Sequence, residues 1–195
     1  MRDERLDGIL YRSEKQVELK ENAFLDVLIP EGTPVVNFGN AGYSEDHIYS
    51  HSFAGCEAFC ILGKGRSYLI HKTPSQSLDD IFIGRHDPFA MDPPAPVDVG
   101  RLLEGGGSPE VIVISRRRSW AAWQDNDFTM DASMASNRAK LETYHLIDVK
   151  GVSLDIRNQF HVLIDSSRES AYVFSSDIPG ALYMRRQESH QMHGL

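Results

Sequence analysis

Apolar residues in this chain fall into short runs bounded by turn-forming residues, with little of the three-to-four spacing that marks amphipathic helices. Runs at Ala23–Ile29, Pro34–Phe38, Val111–Ser115, Thr143–Val149, Phe160–Ile164, Ala171–Phe174 and Ala181–Met184 each predict a strand. Pro30-Glu31-Gly32 and Gly39-Asn40-Ala41-Gly42 read as the turns between the first of them. The longest apolar feature, Cys56–His71, splits at Gly63-Lys64-Gly65-Arg66 into two strands of a hairpin. A helix is expected at Asp131–Glu142, where Ala, Met, Lys and Leu dominate, and residues 1–22 form a polar segment with a weak helical pattern. The polar stretch Ser44–Ser52 and the Pro/Gly-rich span 88–107 read as loops, the latter a candidate lid. Many short strands with few helices predict an α+β fold. The expected form is a β-sandwich-like core of mixed or antiparallel strands with peripheral helices, in a single domain over residues 1–195.

The hairpin has a consequence that parity alone delivers. A two-residue Lys64-Gly65 turn, with Gly65 at positive φ, pairs Leu62 with Ser67, Cys60 with Leu69, Ala58 with His71 and Cys56 with Thr73. Side chains alternate between faces, so His71 shares a face with Cys56, one diagonal step away and about 7 Å between backbones. The small Ala58 opposite His71 leaves room for the ring to lean toward the sulfur.

Composition narrows the function classes. With 20 Lys and Arg against 28 Asp and Glu, the net charge of −8 disfavours nucleic acid and anionic membranes as partners. The one dense basic run, Arg116-Arg117-Arg118, follows an apolar strand and reads as its solvated end. No apolar run approaches the roughly 20 residues of a membrane-spanning helix, and the charged N-terminal segment lacks the apolar core of an export signal. Cytoplasmic residence, or delivery by a specialised secretion system, is the expectation. Two cysteines make no disulfide framework, and in an extended strand Cys56 and Cys60 lie about 13 Å apart, so two free thiols are expected. His47, His51, Cys56, Cys60 and His71 form a thinkable metal set, but strand spacing suits chelation poorly; no metal and no cofactor is expected.

A thiol beside an imidazole suits nucleophilic catalysis. A free thiol is only a few per cent ionised at neutral pH, and a neighbouring imidazole supplies the base that activates it. Gly55 permits close approach of a substrate, and backbone N–H groups around Cys56 offer an oxyanion site.

Phe53-Ala54-Gly55-Cys56, followed by a strand, a short turn and His71 fifteen residues after the cysteine, resembles the catalytic domain of cytotoxic necrotizing factor. It is similar also to Burkholderia lethal factor and to the chemoreceptor glutamine deamidases. These proteins share a Gly-Cys or Ser-Cys pair, commonly within Leu-Ser-Gly-Cys, and a histidine on a paired strand. Here Phe53-Ala54 stands in place of Leu-Ser. The chemoreceptor branch carries a hydroxyl residue six positions before its cysteine, where this chain has Ser50. The likeness spans about 25 of the 195 residues. It implies a sandwich core and a protein glutamine deamidase, a toxin or effector, whose partner is a protein carrying a reactive Gln. It also implies Cys56 as nucleophile, His71 as acid and base, and Ser50 as the group orienting the imidazole, with Asn37 or Asn40 in reserve. Transglutamination, another Cys-His acyl transfer and a non-catalytic β-rich binding module are the competing expectations.

Overall fold

The computed structural model describes residues 29–85, 96–104, 106–116, 126–154, 156–175 and 181–185. The expected polar segment 1–22, the strand at 23–28 and residues 88–95 of the expected Pro/Gly-rich loop lie outside these residues. Among the described residues nine strands form two sheets. They are β1 (Ala41–Ser44), β2 (His47–Phe53), β3 (Glu57–Gly63), β4 (Arg66–Lys72), β5 (Glu110–Arg116), β6 (Asp148–Leu154), β7 (Phe160–Asp165), β8 (Ser170–Phe174) and β9 (Ala181–Arg185). A five-stranded sheet runs β1-β4-β3-β5-β6 and a four-stranded sheet β2-β7-β8-β9. Every pairing within them is antiparallel except β5 with β6. Three helices accompany them: α1 (Leu78–Phe82), α2 (Val99–Leu103) and α3 (Asn126–Thr143). The fold is α+β with a sheet-rich, sandwich-like core, and no helix among the described residues is long and apolar enough to cross a membrane.

Alternation along β3 explains the layering. Ala58, Cys60 and Leu62 join Ile48, Phe53, Phe160, Val162 and Ile164 of the four-stranded sheet in the core between the sheets. Phe59 and Ile61 face the other way, into a second core with Leu78, Ile81 and Phe82 of α1, Leu102 of α2 and Leu141 of α3. Both faces of β3 and β5 are covered, which is why Ala58–Leu62 and Val111–Ile114 read as unbroken apolar runs.

Several expectations need correction. Ser44–Ser52 is not loop throughout: it holds the end of β1 and most of β2. Pro34–Phe38 is no strand: Val35 makes a single parallel bridge to Tyr49, with Val36 N–H donating to the Tyr49 carbonyl at 2.7 Å. Residues 143–147 close α3 and turn, and the strand starts only at Asp148. The span 88–107 is not all loop, because α2 lies in it and buries Leu102. α1 was missed although its start is written in the sequence. Ser77 Oγ accepts from Asp80 N–H at 3.1 Å and donates to the Asp80 carboxylate at 2.6 Å, a reciprocal cap spelled Ser-Leu-Asp-Asp.

Candidate functional site

The β3–β4 hairpin has the register that turn parity implies: Leu62 opposite Ser67, Cys60 opposite Leu69 and Ala58 opposite His71, with Gly65 at φ 66°. His71 is therefore on the inner face with Ala58 and Cys60. Cys56 stands one residue before β3 and belongs to the same inner core. Continuing the register sets it diagonal to His71, with backbones about 7–8 Å apart. Ala54 and Gly55 just before it are exposed while Cys56 is buried, so the thiol lies where the core between the sheets meets the surface.

The third residue arrives from the other sheet. Ser50 Oγ lies 2.9 Å from His71 Nδ1 and donates to the Val36 carbonyl at 2.7 Å. A hydroxyl has one hydrogen, and Ser50 spends it on Val36, so toward the ring it can only accept. Nδ1 therefore carries the proton and Nε2 of the neutral ring is a bare lone pair. Nε2 is buried and has no hydrogen-bond partner among the described residues. Burial, reinforced by the nearby charge of His51, lowers the His71 pKa from its ordinary 6.5 to about 4. At neutral pH the resting ring is an uncharged base with its lone pair at Nε2.

A bulge in β2 makes this possible. Ser50 pairs with Val162 and Phe53 with Phe160, three residues on one strand against two on the other, and Ser52 takes φ 65° at the extra residue. Without it, Ser50 and Phe53 would face opposite sides; with it, both point inward. Phe53 then stacks on the imidazole at 3.8 Å between ring centres, and Phe38 meets the ring edge at 5.4 Å. Neither aromatic was a sequence candidate, because nothing local to them indicates a neighbour in the other sheet.

The backbone of His71 is clamped by the two residues just before β1. His71 N–H donates to the Asn40 carbonyl at 2.9 Å, and Gly39 N–H donates to the His71 carbonyl at 2.9 Å. Ser50 is the side chain 2.9 Å from Nδ1. Lys72 and Glu57, the neighbours of His71 and Cys56, pair at 2.9 Å on the opposite face, tied to α3 by the Asn137 amide at 3.3 Å.

Cys60 is unlike Cys56. It is fully buried, and burial alone drives its thiol far above the usual range, which leaves it un-ionised core. Neither cysteine is in a disulfide. His47 and His51, expected as loop residues, are on β2. His47 lies between the Asp46 and Asp165 carboxylates at 2.6 and 3.6 Å, and His51 is exposed with Nδ1 2.9 Å from Ser52 Oγ. Among the described residues no group of three or more His, Cys, Asp or Glu is placed to hold a metal ion.

No protein-family model matches the chain, and a search of curated proteins found no match.

Proposed function

We propose that the chain is a cysteine-dependent protein glutamine deamidase, with Cys56 as nucleophile, His71 as proton carrier and Ser50 as the residue that orients the ring. One observation carries the reading. A serine whose only hydrogen is committed to a backbone carbonyl holds Nδ1–H of a buried histidine, leaving Nε2 bare on the face that also bears a cysteine. A core histidine satisfied at both nitrogens would have no such use.

The reaction follows from those protonation states. Cys56 Sγ attacks the carboxamide carbon of a glutamine side chain as its proton passes to His71 Nε2. The imidazolium returns that proton to the amide nitrogen, the C–N bond breaks and ammonia leaves, giving a thioester. Nε2 then takes a proton from water, the oxygen attacks the thioester, and the C–S bond breaks with the proton returned to sulfur. The sum is carboxamide plus water to carboxylic acid plus ammonia. Because His71 is neutral near pH 7, the ring meets the substrate as a base and takes up its proton during attack. An amine in place of water would make the same thioester a transglutaminase intermediate.

The test is intact-mass and peptide-mass analysis of glutamine-containing proteins and peptides exposed to the protein and to Cys56→Ser. A gain of about 1 Da per converted glutamine, with one ammonia released, is expected from the wild type alone. Product formation by Cys56→Ser overturns the reading, and no gain on any glutamine tested counts against it.

A further inference from the structure

Asn40 follows the turn before β1. The β1–β4 register, Ala41 opposite Ile70, extended one step sets Asn40 opposite His71, whose N–H donates to the Asn40 carbonyl while Gly39 N–H, at a bulge, donates to the His71 carbonyl. Side chains directly across an antiparallel ladder share a face, with Cβ atoms about 4.5–5.5 Å apart. Asn40, His71 and Ala58 thus form one row across three strands on the inner face, and Cys56 is diagonal to the middle member. Gly42, two residues on and on that same face, confirms the parity. A Cβ built there would meet Val36 Cγ2 at 2.6 Å and Ile48 Cδ1 at 2.7 Å, both atoms of the core between the sheets.

Asn40 is 8% exposed, and its Oδ1 is buried with no hydrogen-bond partner among the described residues. The next residue in the row has the same condition at Nε2. Both atoms are acceptors when His71 is neutral. An acceptor cannot satisfy an acceptor, and leaving either buried without a donor is costly. What completes the pair is a group with two hydrogens to donate, small enough to reach the inner face beside Cys56.

We propose that Asn40 is the specificity residue for a primary carboxamide, its Oδ1 accepting one N–H of the scissile –NH2 while the other points to His71 Nε2. This rests on the deamidase reading and deepens it. Among the acyl groups a thiol can attack, a peptide bond has one N–H and an ester has none, whereas a primary amide, the side chain of Gln or Asn, supplies both hydrogens. Nε2 has a single lone pair, so the second N–H gives it up as the Cys56 proton arrives, which leaves the departing nitrogen beside the Nε2–H that must protonate it.

Cyanate tests this without a known target protein. Isocyanic acid adds across a thiol, S–H plus HN=C=O giving S–C(=O)–NH2, with sulfur on the carbonyl carbon and –NH2 where the scissile amide would lie. Carbamoylation of Cys56 at a series of cyanate concentrations is read by mass spectrometry for wild type and Asn40→Ala. The concentration giving half modification is expected to rise about tenfold in the variant, the equivalent of one hydrogen bond. Cys60, fully buried, reports folding in the same spectra. If its modification shows that Asn40→Ala is unfolded, Asn40→Leu, of similar size without the amide, is read in its place. Half modification within twofold of wild type overturns the role of Asn40, as does a wild-type Cys56 that cyanate does not modify. The two readings fail separately. Glutamine conversion with no effect of Asn40 leaves the deamidase standing, whereas Asn40-dependent carbamoylation without conversion of any glutamine leaves a carboxamide site and no deamidase.

Discussion

Removing the Ser50 hydroxyl is the most direct probe of how His71 is held. Ser50→Ala deletes the acceptor for Nδ1–H and the donor to the Val36 carbonyl, both fully buried. Each orphaned polar group costs about 1–3 kcal/mol, so unfolding in urea should show a loss of about 2–6 kcal/mol. The ring has an escape that the carbonyl lacks. It can move its proton to Nε2, which an isolated imidazole already prefers. With about 1–3 kcal/mol of preference for Nδ1–H withdrawn, the tautomer ratio shifts some five- to a hundredfold toward Nε2–H. A protonated Nε2 cannot accept from Cys56, so alkylation of Cys56 by iodoacetamide at pH 7, and any glutamine conversion, should fall by about tenfold or more. Nitrogen-15 spectra of the imidazole report the tautomer directly. The reasoning fails if Ser50→Ala keeps the proton on Nδ1, or if Cys56 reacts within twofold of wild type while the tautomer has changed.

Other consequences are equally concrete. His71 titrates near 4 when folded and near 6.5 when unfolded, so between those values the unfolded chain binds the extra proton. The contribution is complete above about pH 6.5 and is lost as pH falls toward 4, a total of roughly 3 kcal/mol. The difference in unfolding free energy between wild type and His71→Phe, measured from pH 7 to 4, should trace that decline; a flat difference excludes it. Cys60→Ala should cost about 1–2 kcal/mol for the cavity it leaves and spare glutamine conversion, while Cys56→Ala, in the same core, should cost about as much and abolish conversion. Loss of activity in Cys60→Ala would mean the wrong sulfur has been chosen. Gly42→Ala forces a methyl into contact at 2.6 Å with Val36 and 2.7 Å with Ile48, and should destabilise by about 1–3 kcal/mol in thermal unfolding. An unaffected Gly42→Ala would show that the sheets are not held as closely there as the structure places them.

What could be read from the residues alone was the part that local geometry decides. A glycine turn of two residues leaves one pairing open to the strands it joins, and side chains alternate strictly, so the face shared by Cys56, Ala58 and His71 follows from counting. The layered α+β architecture followed from the many short apolar runs bounded by turn residues and the scarcity of helical spacing. Strand boundaries slipped where that rule lapses: β2 carries four polar residues among seven, and β6 includes Lys150, Gly151 and Ser153 at the edge of its sheet. The chemistry of the imidazole lay beyond counting altogether. Ser50 was a candidate by position, but its bond to His71 needs two sheets packed face to face and a bulge that turns Ser50 and Phe53 to the same side. The proton on Nδ1 needs the Val36 carbonyl to claim the serine hydrogen, and the depressed pKa of His71 needs the burial that both sheets provide. Contacts between residues distant along the chain depend on how whole layers stack, and only the assembled fold sets that.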